Sequence, residues 1–166
     1  PHREKEGSWY TIRDVWSPIQ IAPMTVRPQW DGRFKVANRF LFSRLTECSM
    51  SYSVTTLPSP ASDRGRTVAE GTVALPDIAP GETGTAAITL PEGFAEGDVL
   101  TLVATTAAGD TINTWAYPMR YADEYYALAK PAAVAGRAAT ADGTTLEGGG
   151  VRAEFNPDDG MLKSVT

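Results

Sequence analysis

The sequence predicts an all-β fold: an immunoglobulin-like antiparallel β-sandwich, then a linker and a terminal β-hairpin. Three observations carry this. Short apolar stretches alternate with polar residues at a period of two. Turn formers recur between them, with 15 Gly and 12 Pro in 166 residues. No helix-period segment of ordinary length interrupts the series up to residue 119. Hydrophobic residues make up 42% of the chain, enough for a core, and charged residues only 21%.

The elements follow in order. Residues 1–8, PHREKEGS, are polar and read as a tether. In WYTIRDVWSPIQI (9–21) the first half is open between a helical turn and extended chain, while Pro18 and the β-branched residues after it favour an edge strand. RFKVANRFLF (33–42) places Phe34, Val36, Phe40 and Phe42 on one face, with Asn38 the polar exception. SMSYSVTTL (49–57) alternates Met50, Tyr52 and Val54 with serines. After a loop holding Pro58, Pro60 and Asp63-Arg64-Gly65, TVAEGTVALP (67–76) continues the series. IAPGETGTAAITLP (78–91) is a Pro-Gly turn and a strand with Ala86, Ile88 and Leu90 on one side.

GDVLTLVATTA (97–107) is nearly continuously apolar, as a central or deeply covered strand should be. AGDTINTWAYPM (108–119) turns at Ala108-Gly109-Asp110 and puts Trp115 and Tyr117 on one face. Some seven strands in roughly 100 residues are the mark of the immunoglobulin-like sandwich. The chain has one cysteine, so the disulfide-linked antibody pattern is excluded.

RYADEYYALAK (120–130) has helical spacing and Pro131 ends it. PAAVAGRAATADGTTLEGGG (131–150) reads as a linker with Thr144-Thr145-Leu146 as a short strand candidate. VRAEFNPDDGMLKSVT (151–166) is a hairpin around Asn156-Pro157-Asp158-Asp159-Gly160. A two-stranded hairpin alone is marginal in water, so this one is expected to be the start of something larger.

Several chemistries are excluded. The net charge is −5 and the Lys and Arg residues are dispersed, which argues against nucleic acid. No apolar run approaches the ~20 residues of a membrane helix, so no membrane partner is expected. One histidine, His2, and one cysteine, Cys48, leave no zinc set and no catalytic triad, and no metal or cofactor is expected. Asp158-Asp159 lacks the spaced ligands of a calcium loop. Gly148-Gly149-Gly150 lacks the following Lys or helix of a phosphate cradle. The aromatics remain: exposed planar rings stack on sugars, and Trp30, Trp115 and Tyr117 are the candidates for a carbohydrate-binding face.

The order of the pieces SWYTIRDVWSPIQI, FKVANRFLFSRLTECSMSYSVTT and AEGTVALPDIAPGETGTAAITLP resembles the stretch after the catalytic barrel in glycoside hydrolase family 2, the β-galactosidase type. The resembling residues are Phe34, Val36, Asn38 and Phe42, then Tyr52 and Val54, then Gly71, Leu75, Ile78, Pro80 and Gly81. Phe155, Asn156, Gly160 and Leu162 resemble the opening of that family's β-supersandwich. The likeness covers residues 9–118 and 144–166.

It implies a barrel-exit tether at 1–15, an immunoglobulin-like sandwich at 16–119, a linker with a short helix at 120–143, and a truncated supersandwich start at 144–166. It also implies that the partners are other domains of the same parent chain, the barrel and the supersandwich. The family's catalytic glutamates lie on barrel strands, the acid/base after an Asn. No glutamate here follows an Asn, so no catalytic residue is expected, although the parent is expected to be a retaining glycosidase. The expected function is a non-catalytic spacer that positions neighbouring domains. A carbohydrate-binding module and a cell-surface adhesion module are the alternatives. One cysteine suits a bacterial periplasm or exterior, the favoured reading, as well as a cytoplasm.

Overall fold

The computed structural model describes residues 6–58, 64–129, 140–148 and 150–166. His2, Glu4, Pro60, Asp63, Pro131 and most of the proposed linker lie outside the described residues. The chain divides into two compact units, residues 1–129 and 130–166.

The first unit begins with helix α1 (Gly7–Val15). Residues 9–15 are therefore helical, and the tether expected over 1–15 contains a helix. Two antiparallel sheets follow. One has the order β1 (Ile19–Ile21), β2 (Arg33–Asn38), β5 (Thr83–Ala87). The other has the order β4 (Thr67–Val73), β3 (Ser49–Thr55), β6 (Val99–Thr105), β7 (Thr111–Pro118). In immunoglobulin lettering these are A-B-E and C′-C-F-G, with the fourth strand paired to the C-F-G sheet. β1 is an edge strand, as Pro18 requires, and β6 is a central one.

Register explains the core. Met50 pairs with Val73 and Ala104, Val54 pairs with Leu100, and Leu102 pairs with Tyr52 and Trp115, so these side chains share the inner face. From the opposite sheet Ile19, Phe34, Val36, Ala86 and Ile88 are buried. Interdigitation of the two inner faces is the main stabilising term of such a sandwich. Gly71 sits on this face because the Tyr52 ring lies across it. A Cβ there would come within 2.9 Å of the ring.

The alternation read over 33–42 does not persist. β2 stops at Asn38, Phe40 is half-buried, and Leu41 and Phe42 are 81% and 91% exposed. Asn38, fully buried, is the cause. Its Nδ2 donates to Ser43 O and Ile78 O, both at 2.9 Å, and its Oδ1 accepts from Phe40 N at 2.9 Å. That last bond turns the chain out of the sheet, as Asx turns do.

Helix α2 (Ala122–Ala129) ends the first unit. Arg27 donates to both oxygens of Glu124 at 2.8 and 2.6 Å, and its guanidinium lies 4.3 Å from the Tyr121 ring centre. Tyr121 N donates to Glu124 at 2.8 Å, and the Tyr125 hydroxyl donates to Pro58 O.

In the second unit the terminal hairpin is not alone. β10 (Val151–Phe155) pairs with β11 (Leu162–Val165) and with β9 (Thr145–Gly148), which pairs with β8 (Thr140–Asp142). A four-stranded meander replaces the isolated hairpin. Asn156 Oδ1 accepts from Asp158 N at 3.1 Å, and Gly160 N donates to Asn156 O at 2.9 Å, closing the turn. One face aligns Leu146, Ala153 and Val165, while the other carries Glu147, Arg152 and Glu154 in ion pairs at 3.2–3.3 Å.

Candidate functional site

α1 meets the sandwich at β7. Gln20 Nε2 donates to Asp14 O at 3.1 Å and Ser17 O at 3.0 Å, so carbonyls at the helix end are satisfied before Pro18. The Asp14 side chain accepts from Asn113 Nδ2 at 2.9 Å. Arg13 folds back over the rings of Trp9 and Tyr10, 5.0 and 5.5 Å from their centres. Between helix and strand lies a depression of about 330 Å³ lined by Tyr10, Arg13, Asp14, Asn113, Trp115 and Tyr117 among others.

Its electrostatics are set by burial. Burial, then the nearby negative charge of Asp14, pushes the Tyr117 hydroxyl up to about 12, so it stays protonated and able to donate. Asn113 is 1% exposed, and its orientation is fixed because a carboxylate only accepts. Asn113 Oδ1 is then left, with Arg13 Nε, as a buried polar atom without a partner among the described residues.

Trp115 and Tyr117 thus come together, but on the inner face of the edge strand and partly buried, packed against the core. Trp30 lies apart from them. It packs against Phe34 and Phe94, with ring centres 6.3 and 6.2 Å away, and does not line this depression. Tyr10, Arg13, Asp14 and Asn113 were not foreseen. The one sequence signal was Asn113 on the same strand face as Trp115, a polar residue at an inward position.

A second surface is apolar. Beyond the Ile19–Asn38 pair, Arg39 N donates to Pro18 O at 2.7 Å, so Trp16 and the Leu41-Phe42 loop emerge at the same end of the first sheet. Val15 and Trp16 are 68% and 81% exposed, as are Leu41 and Phe42 at 81% and 91%. Four acids of the first unit are engaged by arginines. Glu124 pairs with Arg27, Asp77 with Arg44, Glu96 with Arg66, and Asp98 with Arg120.

A family model described as Beta-galactosidase, domain 4, matches residues 34–116, half of the chain. The chain belongs to the β-galactosidase domain 4 family. A search of curated proteins finds no match. The domain 4 match runs from β2 into β7 and so takes in Asn38, Asn113 and Trp115, while α1, β1, α2 and the second unit lie outside it.

Proposed function

We propose that the chain is a non-catalytic spacer within a larger glycoside hydrolase of β-galactosidase type, holding neighbouring domains of the same polypeptide in place. The observation that carries this reading is the apolar end of the sandwich, where Trp16, Leu41 and Phe42 stand 81–91% exposed without serving the domain's own core. Large exposed apolar groups gathered at one end mark a surface built for contact. The exposed row of Leu146, Val151 and Val165 in the second unit supports it in the same way. On this reading residues 16–119 are the spacer, 1–15 lead in from a barrel, 120–143 link, and 144–166 open the next domain.

The pairing of four acids with arginines supports a role without chemistry. A retaining glycosidase needs two carboxyl groups ~5–5.5 Å apart in a sugar-sized cleft. Here Asp77, Glu96, Asp98 and Glu124 each lean on an arginine instead. The direct test is an assay of the purified chain on aryl β-galactosides, β-glucuronides and β-mannosides. No turnover above the buffer rate is expected. Turnover that follows the protein through purification refutes the reading.

A further inference from the structure

We propose that the outer face of the β1-β2-β5 sheet is a docking surface for a short acidic polypeptide segment in extended conformation. The observation that carries this is the sorting of charge. Arg33 and Lys35 project outward from β2 around the buried Phe34, and Ala37 follows them on the same face. Opposite them on β5 stand Ala87, Thr85 and Thr83, and opposite Ala37 on β1 stands Gln20. No acid lies among these residues, although the chain has 20 Asp and Glu against 15 Lys and Arg. The other sheet is sorted the opposite way. Its outer face carries Ser51, Ser53, Thr72, Thr101 and Glu70, and its four strands contain no Lys or Arg.

Along the basic face Gln20, Ile21, Lys35, Ala37, Arg39 and Thr83 line a depression of about 290 Å³, and no acid lines it. The side chains of Arg33, Lys35 and Arg39 make no ion pair among the described residues. Arg27, Arg44, Arg66, Arg120, Arg152 and Lys163 each do. The acids that flank these strands in the sequence act elsewhere. Asp31 accepts from the Arg33 amide at 3.0 Å, and the charge of Glu82 acts on Arg44. Three cations on one sheet face therefore stand without a partner in a chain whose net charge is −5.

The surroundings choose among anions. An exposed ion pair contributes little alone, so a free anion that must order two flexible stems gains little. A peptide adds apolar contact, since its Glu methylenes can lie on Ala37, Ile21 and the aliphatic stems of Lys35 and Arg39. Arg33 and Lys35 are two residues apart on a strand, about 7 Å, which is also the spacing of alternate side chains in an extended partner. A long polyanion such as a nucleic acid reaches past this face and meets the chain's surplus of negative charge. A Glu-x-Glu segment covers the basic face alone.

The test is titration of the whole chain with the peptide acetyl-Glu-Thr-Glu-Thr-Glu-amide, followed by backbone amide shifts. Saturable changes are expected at residues 20–22, 35–39 and 83–85, with a Kd near about 1 mM at low salt. Raising the ionic strength from about 0.01 to about 0.3 M should weaken binding about tenfold. The same peptide with Gln for Glu should cause no change. Lys35→Gln with Arg39→Gln should weaken binding about tenfold. Arg66→Gln with Arg152→Gln, an equal loss of charge at paired sites, should leave it unchanged. Where a variant fails to fold, the shift map of the unmodified chain decides. Unsaturated or scattered changes overturn the proposal, as does an equal loss in the control pair. So does the same saturation with acetate at equal carboxylate concentration, or tighter binding of a short single-stranded DNA. The spacer proposal rests on the apolar end of the sandwich, so the two fail separately.

Discussion

Asn38 is a buried polar residue on which the end of β2 depends. Fully buried, it ties the end of β2 to the loop at Ser43 and to Ile78 before the Pro80-Gly81 turn. Removing the amide leaves the Ser43 carbonyl and the Phe40 amide without that partner, and the Ile78 carbonyl with only the Leu45 amide. Asn38→Ala should therefore cost roughly 2–4 kcal/mol in chemical denaturation, well above a surface substitution. Gly97 is decisive for a different reason. A Cβ there would overlap Val54 Cγ1 and crowd Met119 Sδ, so Gly97→Ala should cost about 1–3 kcal/mol by the same measurement. Asn38 stood out in the sequence as a polar residue in an apolar alternation, whereas Gly97 was read only as the start of the 97–107 strand. The alternation told which side chains face inward but not where hydrogen bonding stops the strand, which is why Phe42 looked like core.

Among the elements, α2 is tied to the first unit by the Arg27–Glu124 ion pair and by the Tyr125 hydroxyl on Pro58 O. The Arg27 guanidinium, with the Tyr121 amide, holds the Glu124 carboxyl down at about 2, well below the ordinary 4.5. A carboxylate depressed in the folded state stabilises it above the ordinary value and loses that contribution as pH falls from 4.5 towards 2. Carboxyl carbon shifts should place the Glu124 midpoint near 2, and Arg27→Ala should return it towards the ordinary range. Strands were readable where apolar and polar residues alternate, as in β3 and β6. β9 was read only as the short candidate Thr144-Thr145-Leu146 and β8 not at all, because Thr, Ala, Glu and Gly carry little apolar signal, so β10 looked like half of a lone hairpin. The α1–β7 depression was out of reach for another reason. Asp14 and Asn113 are 99 residues apart, and nothing local announces their bond.

For the whole molecule the apolar end has the clearest consequence. Trp16 and Phe42 contribute little to the sandwich that displays them, so Trp16→Ser with Phe42→Ser should leave the unfolding free energy of the isolated chain within about 0.5 kcal/mol. The same pair of changes has another effect if a neighbouring domain covers that end. The measurement that tests the account most directly is the unfolding temperature of this pair of substitutions in two settings: the chain alone, and the chain joined to the neighbouring domains that the spacer proposal assigns to it. The account predicts no shift in the first and a loss of several degrees in the second. An equal shift in both, or none in either, would contradict it.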